Sequence, residues 1–126
     1  LPTMGPWLTG SRYQNRHDDP WATFARTTAF SRVSPSEIFL MVDESPWSIN
    51  DGGLGVSAGA AKWVDYPSTA HNNAGGFSFC DGRAEVHKWR GTSMQLKGTP
   101  PGGGRTVSVN DPDWNWMVQH STVLMK

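Results

Sequence analysis

The chain has 126 residues, which is enough for one domain with a modest hydrophobic core. Eleven basic and eleven acidic residues leave no net charge, and no basic stripe predicts binding to nucleic acid. The single cysteine, Cys80, excludes an internal disulfide and is expected to pack as a small residue on a strand. Fourteen glycines and nine prolines predict many turns, and seven tryptophans supply large apolar surfaces for the core.

The first half of the chain predicts few regular elements. Residues 1–20 are polar and rich in turn formers, so we expect an extended arm or loop. Residues 23–33 are compatible with a strand pair or a short helix. Residues 36–44 contain a continuous apolar run and predict the clearest core strand. Residues 45–76 then form a long glycine-rich connection, and loops of this length are often functional.

The Asp81-Gly82 pair predicts a β-hairpin over residues 76–89, because both residue types tolerate the positive φ of a two-residue turn. Phe77 and Phe79 alternate with small residues and are expected to share a buried face. A two-residue turn sets the following pairs: Cys80 with Arg83, Phe79 with Ala84, and Phe77 with Val86. Ala84 and Val86 would then lie on the face of the phenylalanines, and Ser78, Cys80, Arg83, Glu85, His87 and Trp89 on the other.

A short helix is expected near the C-terminus, after a Pro-Gly tip at 100–104 and a strand candidate at 106–109. Asp111 is suited to cap it, since Pro112 and Asp113 follow at its first positions. Trp114 and Trp116 diverge by about 200° on a helix of 3.6 residues per turn. We therefore expect that they do not both face inward and that one of them contacts another subunit.

Residues 71–82 carry a known motif: His71, nine intervening residues, then Asp81-Gly82. This run resembles the prepilin-type processing-associated motif of bacterial pilin-like and type II secretion pseudopilin-like proteins. The resemblance extends over residues 75–89, GGFSFCDGRAEVHKW, and covers roughly 36–122. The Asp-Glu pair at 43–44 and the Trp-x-Asp-x-Pro run at 63–67 also fit that family. Two positions depart from it, since members commonly have alanine at Cys80 and histidine at Arg83.

The resemblance implies an α+β fold, in which residues 1–126 form one pilin-like head. Its expected parts are a small antiparallel sheet with the hairpin, long Gly/Pro-rich loops and a short C-terminal helix. It also implies a structural, non-enzymatic role in an extracellular, cell-surface or periplasmic filament, exported via the inner membrane. The partners would be other copies of the chain and a hydrophobic N-terminal helix. No such helix is present in this sequence, so we expect it in a segment outside these residues or in a separate polypeptide.

An enzymatic interpretation would gather His71, Asp81, Asp43, Glu44 and His87 into an acid–base or metal site. The sequence contains no paired-histidine motif, cysteine cluster or Gly-x-Ser-x-Gly turn to support it. We therefore expect no catalysis. Instead His71 is expected to tie the long loop to the hairpin turn by a hydrogen bond.

Calcium is a better-motivated ligand than a catalytic metal, because hard oxygen donors suit Ca²⁺. Asp43, Glu44 and Asp51 lie close together in the chain and are the candidate ligands. They do not have the spacing of a known calcium loop, so solvated loop carboxylates are the alternative.

The tryptophans suggest two kinds of contact. Trp and Tyr are favoured anchors of protein interfaces, and Trp7, Trp21, Trp114 and Trp116 are the candidate subunit contacts. Exposed indoles also stack on sugars. A cell-surface carbohydrate-binding module is therefore the alternative to the filament subunit.

Overall fold

The computed structural model describes residues 21–24, 26–96 and 104–125. Its main sheet is antiparallel, with strands β1 (Phe39–Val42), β3 (Ala74–Phe79) and β4 (Ala84–Lys88) in the order β1-β3-β4. The second sheet pairs β2 (Lys62–Trp63) with β5 (Arg105–Thr106), and helix α1 spans Pro112–Gln119. The α+β expectation is confirmed at this coarse level. The predicted arm at 1–20 lies outside the described residues.

Strand β1 is shorter and less buried than the core strand that we predicted over residues 36–44. A 3-10 turn at Pro35–Glu37 precedes it, and a bulge interrupts its pairing between Phe39 and Met41. Phe39 is buried, whereas Met41 is 66% exposed. The apolar run therefore forms an edge strand with one face in the core. Upstream, residues 23–33 contain a 3-10 helix at Thr27–Ala29.

The hairpin exists as predicted, but its register is wrong by one residue. Ser78 pairs with Ala84 and Phe77 with Glu85, because the turn has three residues instead of two. The Gly82 N–H donates to the Phe79 carbonyl at 3.0 Å, and the Phe79 N–H donates to the carbonyl of Arg83 at 2.7 Å. Gly82 takes a φ of +90°, whereas Asp81 has no positive φ. This is the geometry of a turn followed by a glycine bulge.

The slip exchanges the two faces of β4 relative to the prediction. Val86 points outward and is 62% exposed, whereas Trp89 is 3% exposed and lies against Phe77, with ring centroids 5.9 Å apart. A one-residue shift turns every side chain to the opposite face. The observed register buries an indole where the predicted one would bury a valine, so it removes more apolar surface from water. The expectation that Phe77 and Phe79 share a buried face is confirmed.

Two hydrophobic clusters lie on opposite faces of the main sheet. The inner face packs against α1 and the long connection, in a cluster that includes Phe39, Phe77 and Met117. The second cluster forms around Ile38, whose carbonyl accepts the Cys80 N–H at 2.9 Å. Ile38 and Cys80 are each one residue away from an inner-face phenylalanine, so they belong to the outer face. Cys80 packs there, and burial raises the pKa of its thiol.

Helix α1 begins where the sequence predicted. The Asp111 carboxylate accepts the N–H groups of Asp113 at 3.0 Å and Trp114 at 2.9 Å. The helix lies between the long connection and the sheet: Trp114 donates from Nε1 to the Ser57 carbonyl at 3.0 Å, and Trp116 packs on the sheet side. The expectation that these two tryptophans cannot both face inward is therefore wrong. No helix within the described ranges is long and apolar enough to cross a membrane.

Candidate functional site at the motif hairpin

The two ends of the sequence motif lie at opposite ends of β3. His71 precedes the strand and Asp81-Gly82 follows it, so six strand residues separate them, roughly 20 Å at 3.3 Å per residue. His71 instead lies beside the end of β1, where its Nε2 is 3.4 Å from Oδ2 of Asp43. The predicted hydrogen bond between His71 and the hairpin turn is therefore wrong. The motif therefore brackets strand β3 and does not bring His71 and Asp81 together in one site.

The turn that enters β3 depends on two asparagines that the sequence analysis overlooked. Asn72 and Asn73 have φ values of 56° and 59°, in the left-handed region that asparagine tolerates better than most residues. Asn73 accepts the Trp89 N–H at 3.0 Å through its carbonyl, which joins the turn to the end of β4. The Asn72-Asn73 dipeptide shortly before Gly75 could have indicated this turn from the sequence.

The Gly-Gly pair of the motif allows two close approaches. A Cβ at Gly75 would stand 2.9 Å from the Ser68 carbonyl oxygen, which accepts the indole N–H of Trp89 at 2.9 Å. A Cβ at Gly76 would stand 2.6 Å from Oδ2 of Asp43. The first glycine therefore admits the buried indole, and the second lets the Asp43 carboxylate lie against the strand.

The outer face of the same strands carries a shallow depression of about 380 Å³. Gly76 and Ser78 lie in its lining together with Met41 of β1 and with Asp43, which follows that strand. The Ser78 Oγ lies beneath this surface, buried from solvent and without a hydrogen-bond partner among the described residues. Val86, paired with Gly76, and Met41 are both more than 60% exposed beside it. We call this surface the outer sheet face: Met41, Asp43, Gly76, Ser78 and Val86.

The candidate calcium ligands do not come together in the described residues. Asp43 lies beside His71, and Asp51 accepts the Gly53 N–H at 2.8 Å. Burial raises the pKa of Glu44; its hydrogen bond from Ser48 opposes this, and the carboxylates of Asp65 and Asp51 add to it. Among the residues that the structure describes, no three His, Cys, Asp or Glu side chains are arranged to hold a metal. Calcium binding stays a prediction.

The candidate interface tryptophans have different environments. Trp114 is 9% exposed, Trp116 is half-buried, and Trp21 is half-buried and bridges to Leu124. Trp7 lies outside the described residues. A tryptophan that the sequence analysis did not select, Trp47, is 64% exposed. The role of all these side chains in subunit contacts stays a prediction.

No protein-family model matches this chain, and no curated protein or solved structure gives a significant match to it. Its function must therefore be inferred from the motif and from the surfaces described above.

Proposed function

We propose that this chain is the globular head of a pilin-like or pseudopilin-like filament subunit that works outside the cytoplasm. Its partners would be further copies of itself and a hydrophobic helix that forms the filament core. The observation that carries the proposal is the outer sheet face. Two large apolar side chains, Met41 and Val86, are 66% and 62% exposed beside the shallow depression in this face.

Association with a partner surface is the simplest way to bury the exposed apolar side chains of the outer sheet face. Fully burying a side chain the size of valine or methionine contributes roughly 1.5–3 kcal/mol. A partner surface that covers Met41 and Val86 would therefore gain free energy by removing both side chains from water. Contacts between unlike surfaces of successive copies build an open helical filament when the rotation between copies does not close into a ring.

Charged substitutions on the outer sheet face test this proposal in the organism that makes the native filament. We expect Met41→Glu combined with Val86→Glu to abolish assembly, measured as sheared filaments in electron micrographs, while the melting temperature of the purified protein stays unchanged. Val109→Glu is the matched control, because Val109 is 69% exposed just before α1. Wild-type filament yield from the double variant would refute a role for this face.

A carbohydrate-binding module is the second candidate, and the exposure of Trp47 favours it. The turn that carries Trp47 is held by the Ser48 N–H, which donates to the Ser45 carbonyl at 3.0 Å, and by the Ser45 N–H, which donates to the Tyr66 carbonyl at 2.8 Å. A fixed, exposed indole suits stacking on a pyranose ring. Saturable glycan binding that disappears in Trp47→Ala and persists in Val109→Ala, without any filament, would favour this function over the first.

A further inference from the structure

The contact between α1 and the main sheet includes one indole and two imidazoles. The Trp116 ring stacks on His87 of β4, with centroids 3.7 Å apart and planes 15° apart. His120, one turn further along, contacts the same indole at 4.3 Å. Phe77 meets Trp116 edge-on at 4.8 Å and completes the contact from β3. A titratable ring therefore lies directly between the helix and the strand that supports it.

Several charged groups act on His87 from the surrounding elements. The carboxylates of Glu85 and Asp113 favour its protonated form, and Arg90 and His120 disfavour it. Burial is the largest influence and holds the pKa of His87 below its ordinary value of 6.5. The ring is therefore neutral at pH 7.

The second imidazole has a different environment. The Nδ1 atom of His120 is 2.6 Å from the Glu37 carbonyl oxygen and 3.9 Å from the Glu37 carboxylate. Its backbone carbonyl accepts the Phe39 N–H at 2.9 Å. Glu37 lies in the turn before β1, so His120 ties the end of α1 to the start of the sheet.

We propose that His87 and Trp116 form an acid-labile latch, in which protonation of His87 weakens the contact between α1 and the sheet. An imidazolium over an indole gains about 0.5–2 kcal/mol of cation–π attraction. That gain is opposed by the loss of hydration in the stacked position and by the positive charges of Arg90 and, once protonated, His120. Because burial is the largest of the influences that lower the pKa of His87, we infer that the loss of hydration outweighs the cation–π attraction and that protonation weakens the stack. This inference does not depend on the filament proposal.

The sign of the pH dependence follows from the direction of the shift. A freed or unfolded His87 binds its proton near pH 6.5, whereas the stacked ring binds it only at lower pH. The latch is thus fully stable above pH 6.5 and weakens as the pH falls from there towards the lowered pKa. Glu44 and Asp65 have raised pKa values and act in the opposite sense on the whole molecule. The test must therefore report on α1 locally.

Hydrogen exchange of the α1 amides at pH 7.5 and 5.5, corrected for intrinsic rates, supplies that local readout. We expect the opening equilibrium of α1 to rise by up to about tenfold per pH unit below 6.5, and more than that of β3. His87→Phe keeps an aromatic ring in the stack but carries no titrating proton there, so its α1 should respond to pH less than that of the wild type. His71→Gln is the matched control, since that histidine side chain is 53% exposed, and it should respond as the wild type does.

NMR titration of the unaltered protein provides a second readout that does not depend on the variants folding. We expect the pKa of His87 to lie below 6.5. A His87 pKa at or above 6.5 would overturn the proposal. So would an α1 that opens with acid in His87→Phe as it does in the wild type, or one that opens in neither protein.

Discussion

Asp113 is the carboxylate most deeply placed in the described part of the chain. Its side chain is 1% exposed, and its two oxygens accept the N–H groups of Arg90 at 2.9 Å and Gly91 at 2.8 Å. These bonds fix the segment after β4 to the first turn of α1. A Cβ at Gly91 would approach Oδ2 of Asp113 to 3.1 Å, so the glycine allows this close contact.

Removing the Asp113 carboxylate should be costly, because two buried backbone donors would lose their acceptor. We expect Asp113→Ala to lower the free energy of unfolding by about 3 kcal/mol, measured by urea denaturation. Asp113→Asn keeps one oxygen acceptor and should lose roughly half as much. Equal stability of Asp113→Ala and the wild type would contradict this account of the contact.

The left-handed backbone conformation of Asn72 leads to a second prediction about the effect of a single residue on stability. Asn72→Gly should change the stability by less than about 0.5 kcal/mol, since glycine adopts a φ of 56° without strain. Asn72→Val should cost about 1–3 kcal/mol, since a β-branched residue is strained there. Thermal unfolding of the two variants side by side tests the turn, and a valine tolerated as well as glycine would show that the turn has another geometry.

At the scale of elements, the sequence predicted the hairpin and the start of α1 but not how β4 faces the core. Asp81-Gly82 is compatible with a two-residue turn and with a three-residue turn that ends in a glycine bulge. The choice depends on whether Val86 or Trp89 is buried, and that depends on α1 and the long connection. Local turn chemistry cannot supply this information. The same holds for Trp116, whose inward contact requires the placement of His87.

The close packing around Gly75 is testable at this scale. We expect Gly75→Ala to cost about 1–3 kcal/mol, because its Cβ would overlap the Ser68 carbonyl and press on the Trp89 indole. Gly52→Ala is the matched control, since a Cβ there would meet nothing within 4 Å. It should be neutral or slightly stabilising. Equal effects of the two substitutions on the unfolding midpoint would show that Gly75 is not packed in this way.

At the scale of the whole molecule, one sheet separates two clusters, and the described residues leave Met41 and Val86 on its outer face largely exposed. The motif residues His71, Asp81 and Gly82 could be identified from the sequence, but their separation along β3 could not. The exposure of Met41 and Val86 could not be predicted from the sequence either. Met41 was predicted within a core strand, and Val86 was predicted on the buried face of the hairpin. Exposure depends on the bulge in β1 and on the register of β4, and both are tertiary outcomes.

The raised pKa of Glu44 leads to a prediction about the stability of the whole protein. Burial and the neighbouring carboxylates raise the pKa of Glu44, so its charged form destabilises the fold once the pH rises through that pKa. Glu44→Gln keeps an oxygen acceptor for Ser48 and removes the charge. We expect this variant to be more stable than the wild type at pH 7 and to lose that advantage below about pH 4.5. A variant less stable than the wild type at pH 7 would contradict the assigned cause.

Electron microscopy of filaments sheared from the producing cells, with immunogold labelling against this chain, tests the proposed function most directly. We expect labelled filaments with a regular repeat, and a hydrophobic helix recovered with the head by mass spectrometry, either on the same polypeptide or on a second one. Native protein that is monomeric, labels no filament and carries no hydrophobic helix would contradict the assignment of this chain as a filament head.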